Sequence, residues 1–186
     1  MIISKLQETN LIELESILLD KDGLLKPISY TILKNFQQND ISYFCWKYGI
    51  YQIPTIELID WLTGEINGRF AIEIGAGNGS IGTALNIPIT DNRLQERPDI
   101  IQQYKQMNQP VIKYHPNTIN LAGNDAVDEL KPQVVIASWV TQLWTPDVQS
   151  GNYWGVDEEK IIESESVEQY IHIGNNLTHA NKKVLQ

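Results

Sequence analysis

The stretch that decides the fold is Phe70-Ala71-Ile72-Glu73-Ile74-Gly75-Ala76-Gly77-Asn78-Gly79, in which a short apolar run meets three glycines at alternate positions. The apolar run is typical of a buried β-strand, and the residues from Ser80 to Leu85 are able to begin a helix. Glycine suits the turn between them because it adopts positive φ angles freely and has no Cβ to keep a ligand away. The stretch therefore predicts a strand, a tight turn and a helix.

Two classes of nucleotide cofactor bind to such turns, and the spacing of the glycines distinguishes them. A dinucleotide fingerprint has its third glycine where this chain has Ser80, so that the helix N-terminus receives a pyrophosphate. Here the third glycine comes one residue earlier, at Gly79, and Glu73 precedes the first glycine by two positions. A carboxylate at that point repels a pyrophosphate but suits a ligand with an ammonium or sulfonium group. A glycine turn that binds no ligand is the remaining interpretation.

The pattern Glu-x-Gly-x-Gly-x-Gly at 73–79 resembles the first motif of class I S-adenosylmethionine-dependent methyltransferases. The resemblance covers about residues 66–180 and implies an α/β fold, a Rossmann-like doubly wound sheet of mostly parallel strands that binds S-adenosylmethionine. The residues that it assigns to the cofactor are Glu73, Gly75, Ala76, Gly77, Gly79, Asp91, Asp125, Ala126 and Ser138. Because few residues follow position 177, we expect the antiparallel hairpin that closes the sheet in this family to be missing, in a minimal or truncated chain.

The order of patterns along the chain supports this fold class. Residues 1–65 predict an N-terminal helical extension, and residues 66–186 a Rossmann-like S-adenosylmethionine-binding domain. From Arg69 onward, strand-like runs alternate with helical patterns, which is typical of a parallel sheet with crossover helices. The predicted strands are 70–74, 87–90, 111–114, 134–138 and 170–173, and the predicted helices between them are 100–107, 124–130 and 156–162.

Composition limits the partners and the compartment. The chain has 186 residues, 42% hydrophobic and 20% charged, which suits one globular domain of ordinary size. Its net charge of -9 and lack of clustered basic residues disfavour nucleic acid and favour a small-molecule or protein substrate. One cysteine, no zinc-ligand spacing, no signal peptide and no membrane-length apolar run predict a metal-free protein of the cytoplasm. The oligomeric state stays open, because an uncovered sheet edge can bind another chain.

Two acids at or after strand ends are candidate contacts for the nucleoside. Asp91 is placed to accept hydrogen bonds from the ribose hydroxyls, and a polar turn with Asn92 and Arg93 is the alternative. By resemblance, Asp125 and Ala126 face the adenine ring. Asp125 as the N-cap of the following helix is an equal interpretation, and both can hold.

The end of the fourth predicted strand, Ser138-Trp139, faces the transferable methyl group in the family that the chain resembles. Relatives that methylate DNA bases or protein amides have Asn/Asp-Pro-Pro-Tyr/Phe at this point, and the absence of the proline pair here counts against such substrates. Trp139 either stacks on a substrate, contacts the sulfonium by cation–π attraction, or packs in the core. Trp144 and Trp154, in the following loop, form either a pocket wall or ordinary loop packing.

A general base is needed only where the methyl acceptor must lose a proton. The candidates are His115, Asp157, Glu158, His172 and His179, of which we would test His179 first, because it follows a strand end. The direction of His172 within its strand is undetermined from the sequence. Two other functions stay open: a nicotinamide-dependent oxidoreductase, and a non-catalytic Rossmann-like module that acts through protein contacts.

Overall fold

The computed structural model of the chain describes residues 10–146 and 151–185. Its contacts divide the chain into two compact units. The helical unit comprises Met1–Glu65, Gly77–Leu85 and Arg93–Pro116. The sheet unit comprises Ile66–Ala76, Asn86–Asn92 and Asn117–Gln186. Each unit has a hydrophobic core of its own, so we describe them separately.

The core of the helical unit is built on the helical spacing of leucines near its start. Leu11, Leu14 and Leu18 are buried together with Phe44, which lies in the centre of this core. The helix that carries Phe44 ends at Gly49, whose φ of 62° is the left-handed conformation that favours glycine. The helices of this unit are α1 (Ile12–Leu18), α2 (Tyr30–Leu33), α3 (Gln38–Tyr48), α4 (Ile56–Ile66, whose last residue begins the sheet unit), α5 (Ser80–Leu85) and α6 (Pro98–Gln106).

The sheet unit is an α/β structure in which every described strand pairing is parallel. Its strands are β1 (Ala71–Ile74), β2 (Thr90–Asp91), β3 (Ile119–Asn120), β4 (Val134–Ser138) and β5 (Gln169–Ile173). Its helices are α7 (Gly123–Leu130), α8 (Glu158–Ile162) and α9 (Asn176–His179). The strand β4 is central and its first four residues are buried, as expected for an apolar run covered on both faces.

The order of the strands reverses in the middle of the unit. β4 lies between β1 and β5, with Ile72 opposite Val135 and Val135 opposite Tyr170. On the other side of β1, Glu73 forms a parallel bridge with Ile89, next to β2, and β2 pairs with β3. The spatial order is therefore 3-2-1-4-5. This order reverses between β1 and β4, and in open parallel sheets such a reversal is the usual place of a ligand site.

One predicted strand is wrong. Residues 111–114 form no strand, although their β-branched and aromatic residues favour one. A side chain takes up a backbone donor of this run: Gln95 Oε1 accepts the N–H of Ile112 at 2.9 Å, and the hydroxyl of Tyr114 accepts the backbone N–H of Gln95 at 3.3 Å. The third strand is the two-residue β3, further along the chain.

The remaining strand predictions are confirmed to within a few residues. The run at 134–138 coincides with β4, and β1 and β5 each begin within one residue of the predicted start. β2 lies at the end of the predicted run 87–90 and extends to Asp91. In the part of the chain that the structure describes, no helix is long and apolar enough to span a membrane.

Candidate functional site

The first half of the glycine turn lies in the sheet unit and is held from two sides. Gly75 has a φ of 55°, and the N–H of Ala76 donates to the carbonyl oxygen of Thr90 at 2.9 Å. A Cβ built on Gly75 would lie 2.9 Å from Cγ1 of Val140, in the loop after β4. Glycine is therefore required here both by the backbone conformation and by close packing.

The second half of the turn lies in the helical unit. Gly77 and Gly79 have φ angles of 54° and 68°, so the three glycines of the motif all adopt the left-handed conformation. The Oδ1 atom of Asn78 accepts the N–H of Ser80 at 3.0 Å, which occupies one of the free donors at the start of α5. Ile112 lies at ordinary contact distance from the Cβ position of Gly77.

The two acids nearest the turn are both buried. Glu73 is only 2% exposed, and its carbonyl oxygen accepts a hydrogen bond from the hydroxyl of Thr90 at 3.2 Å. Asp91 ends β2 opposite Asn120 and is 9% exposed. Both therefore lie at the carboxyl edge of the sheet or directly beneath it, with Asp91 closer to solvent than Glu73.

The residues predicted to face the adenine ring lie in the first turn of α7. The helix begins at Gly123, and its N-cap is Ala122, so the interpretation of Asp125 as the cap is wrong. Asp125 is exposed, whereas Ala126 is fully buried. The side chain of Asn124 fixes this turn to the start of α8, because its Oδ1 accepts the N–H of Asp157 at 3.0 Å and its Nδ2 donates to the Asp157 carbonyl at 2.8 Å.

Trp139, directly after Ser138 at the end of β4, has a strained backbone. Its φ is 56°, a conformation that a bulky residue rarely adopts, and its N–H donates to the carbonyl of Ile173 at 2.8 Å. Its ring is half-buried and meets the ring of His179 edge-on, with 5.1 Å between centroids. Strain of this kind costs about 1–3 kcal/mol and is frequent at functional sites. The interpretation of Trp139 as a plain core residue does not account for it.

Near the ends of β4 and β5, the structure brings together five polar side chains that we call the Glu158 cluster: Glu158, Tyr170, His172, His179 and Lys182. Lys182 Nζ lies 2.8 Å and 2.7 Å from the two carboxylate oxygens of Glu158, and the Tyr170 hydroxyl donates to Oε1 at 2.6 Å. His172 Nδ1 lies 3.8 Å from the same Oε1 atom. The rings of His172 and His179 are 4.8 Å apart. Three polar side chains thus lie within 4 Å of one carboxylate.

Burial controls the protonation of this cluster. Burial, followed by the positive charge of Lys182, lowers the pKa of His172 to about 4. The same two causes lower the pKa of His179, and burial lowers the pKa of Lys182. Burial and the adjacent Glu158 carboxylate raise the pKa of the Tyr170 hydroxyl. Both imidazoles are therefore neutral at pH 7.

His172 is the least satisfied member of the cluster. Its side chain is 10% exposed, and neither ring nitrogen has a hydrogen-bond partner. A Cβ on Gly174 would lie 2.8 Å from His172 Nε2 and 2.3 Å from His179 Nδ1, so only glycine allows this packing. A buried donor without a hydrogen-bond partner costs about 1–3 kcal/mol, so His172 destabilises the structure in this position.

The sequence indicates Glu158, His172 and His179 only as separate candidates, and Tyr170 and Lys182 are not among them. Side chains alternate between the two faces of a strand, so the predicted fifth strand already places Tyr170 and His172 on the same face. No local pattern relates Lys182 to Glu158. Of the other proposed bases, Asp157 is the N-cap of α8 and accepts the N–H of Lys160 at 3.2 Å, and His115 lies in the helical unit.

A small cavity borders the Glu158 cluster. Its volume of about 30 Å³ has room for little more than one water molecule. Its walls come from the loop after β4, the start of α8 and the Lys183–Val184 pair. Among residues 10–146 and 151–185, no group of three or more His, Cys, Asp or Glu side chains is arranged to hold a metal ion.

The aromatic loop after β4 is only partly described. Trp144 and Trp154 are 40% and 53% exposed, and the ring of Trp144 contacts that of Tyr153 at 5.2 Å between centroids. Residues 147–150 lie outside the described residues, so the choice between a pocket wall and loop packing stays a prediction.

Comparison of the chain with models of protein families, with curated proteins and with solved structures gives no match in any of the three.

Proposed function

We propose that the chain binds S-adenosylmethionine and transfers its methyl group to a small-molecule or protein acceptor in the cytoplasm. The observation that carries this proposal is the reversal of strand order between β1 and β4, directly beside the glycine turn. In a Rossmann-like sheet this is where a nucleotide binds. The acid Asp91, at the end of the neighbouring β2, supports the assignment of the ribose to that side of the turn.

Different residues of the sheet unit would contact different groups of this cofactor. Asp91 and the exposed Asp125 offer carboxylates to the ribose and to the exocyclic amine, and Gly75 offers a backbone without a Cβ. Ser138 ends the strand on the methyl side. Glu73 is buried, so its assignment to the cofactor rests on the motif. The assignment of Gly77 and Gly79 to the cofactor rests on the motif alone.

The bound cofactor would supply an electrophilic methyl group on a sulfonium. The work of the protein is then mainly positioning, because displacement at carbon requires the acceptor in line with the breaking bond. His172 and His179 are neutral at pH 7 and lie near the ends of β4 and β5. A pKa of about 4 makes His172 a weak base at pH 7, so His179 is the candidate that we propose to receive a proton from an acceptor.

Calorimetric titration with S-adenosylmethionine, S-adenosylhomocysteine and NAD tests the proposal. We expect micromolar binding of both adenosyl compounds, about -8 kcal/mol, and a loss of at least roughly tenfold in affinity for Asp91→Ala. Asp128→Ala is the matched control, because Asp128 is an exposed acid of α7 outside the predicted site. Its affinity should equal that of the unchanged protein. Retained binding in Asp91→Ala would remove Asp91 from the site.

Binding of NAD without binding of the adenosyl compounds would identify an oxidoreductase instead. The structure of the turn disfavours this outcome, since Asn78 already bonds the Ser80 N–H that a pyrophosphate would need.

A non-catalytic module is the second candidate, and one observation favours it. The contact of Gly75 with Val140 explains the first glycine by packing alone, with no ligand. Failure of all three nucleotides to bind to the folded protein would support this candidate over the enzyme.

A further inference from the structure

The segment that follows β5, residues 174–185, is fastened over the ends of β4 and β5 by a few identifiable contacts. Lys182 pairs with Glu158, and Lys183 pairs with Glu159 at 3.1 Å. The N–H of Lys183 also donates to Gln142 Oε1 at 3.2 Å, and the ring of His179 lies against Trp139. The side chains that make these contacts differ greatly in their exposure to solvent.

The Lys182–Glu158 pair is the buried one of the two ion pairs. The Lys182 and Glu158 side chains are 3% and 2% exposed, whereas those of Lys183 and Glu159 are 37% and 55% exposed. An exposed pair is screened by water and stabilises little, while a buried charge that loses its partner is strongly unfavourable. The attachment of the segment therefore depends chiefly on the Glu158 carboxylate remaining available to Lys182.

His172 competes for that carboxylate as soon as it carries a proton. Its Nδ1 is 3.8 Å from Glu158 Oε1, a small movement away from a hydrogen bond, and it has no other partner. With His172 neutral, the buried charges of Lys182 and Glu158 balance. A proton on His172 adds a second buried cation to a single carboxylate, which is costly for groups so far removed from solvent.

We propose that the Glu158–Lys182 ion pair is a proton-sensitive latch, in which protonation of His172 displaces Lys182 and releases the segment 174–185 from the ends of β4 and β5. Lys182 is the cation that leaves, because it lies on the segment, whereas His172 is fixed within the paired strand β5. Release also separates His179 from Trp139 and uncovers the end of β4. The latch does not depend on the identity of any ligand at the glycine turn.

The groups around His172 set the direction of the response. It faces Glu158 from α8, Tyr170 from its own strand, and His179 and Lys182 from the segment, with Glu159 and Lys183 paired further out. The pKa of His172 is lowered from 6.5 to about 4 in the closed state and returns toward 6.5 when the site opens to water. The closed state therefore binds fewer protons, and opening is favoured as the pH falls from about 6.5 toward 4.

Hydrogen exchange of the backbone amides in 174–185, corrected for the intrinsic effect of pH, measures the opening directly. From the two pKa values of His172, the opening constant should rise roughly twenty-fold between pH 7 and pH 5. His172→Phe keeps an aromatic ring but cannot be protonated, so its exchange should respond far less to pH. His115→Phe, in the helical unit, is the matched control and should respond as the unchanged protein does.

Equal pH dependence in His172→Phe and in the unchanged protein would overturn the proposal. If His172→Phe does not fold, an NMR titration of the unchanged protein decides the question. The latch requires that the His172 ring signal titrates over the same pH range in which the amides of 174–185 lose protection. A His172 that gains its proton while these amides stay protected would equally overturn the latch.

Discussion

Gly75 and Val140 lie in direct contact, and a Cβ on the glycine would come within 2.9 Å of the valine Cγ1. The contact joins the turn after β1 to the loop after β4, on the two sides of the point where strand order reverses. A glycine that is expected to expose backbone to a cofactor thus also closes the packing of the sheet unit. Its effects on folding and on binding can be separated by experiment.

Gly75→Ala should lower the free energy of unfolding by about 2–4 kcal/mol, because it combines a left-handed φ with overpacking against Val140. Urea unfolding monitored by circular dichroism measures the loss. Gly64→Ala is the control: a Cβ at Gly64, inside α4, meets nothing within 4 Å. That change should raise stability by about 0.5–1 kcal/mol. Equal effects of the two substitutions would contradict the geometry.

Tyr170→Phe should destabilise the protein by about 1.5–3 kcal/mol, because it removes a 2.6 Å hydrogen bond to a buried carboxylate. The measurement is thermal or urea unfolding at pH 7. Tyr153→Phe removes a hydroxyl from a side chain that is 77% exposed, and its stability should change by less than about 0.5 kcal/mol. A neutral result for Tyr170→Phe would mean that its hydroxyl is not bonded to Glu158.

Lys182→Met should cost about 3–5 kcal/mol, since it leaves Glu158 charged and buried. Glu158→Gln keeps an acceptor for Tyr170 but leaves the Lys182 charge buried without its carboxylate. The double variant should lose less stability than the sum of the two single variants, because no unpaired charge remains. Unfolding of all four proteins completes the cycle.

The exposed pair of Asp128 and Lys160, 3.1 Å apart, is the control for that cycle. Its coupling energy should stay below about 1 kcal/mol. Strict additivity of Glu158→Gln and Lys182→Met would show that the two side chains do not interact in solution.

Cys45 should react slowly with a thiol reagent in the folded protein. Burial raises the pKa of its thiol to about 11, so at pH 8 little of it is in the reactive thiolate form. We expect modification by 5,5′-dithiobis(2-nitrobenzoic acid) to be roughly a hundredfold slower than in urea. A rate that urea leaves unchanged would place Cys45 at the surface of the helical unit.

The parts of the fold that could be predicted are those in which the local pattern and tertiary packing agree. The residues of β4 form an uninterrupted apolar run, and a run of that kind has few alternatives to a buried strand. The run at 111–114 has similar strand propensity, but the N–H of Ile112 donates to the side chain of Gln95, from another part of the chain. Propensity cannot anticipate such a partner. β3 has two exposed residues and no recognisable pattern.

The same limit applies to the site. The glycine turn and Asp91 were identifiable because their residue types and spacing are themselves the signal. The Glu158 cluster depends on contacts between α8, β5 and the segment beyond it, and its key pair joins residues 24 positions apart. The burial that lowers the pKa of His172 is likewise a property of the assembled structure. Only the alternation of Tyr170 and His172 was visible beforehand.

The strand order also dictates when the sheet can form as the chain emerges during synthesis. Ala71 pairs with Val134, so β1 must wait for about sixty further residues before its central partner exists. Until then one edge of β1 stays open, with its apolar residues able to pair with another chain. The central pairing closes a long loop, and we therefore expect it to be the slow step of folding and the point at which misassembly begins.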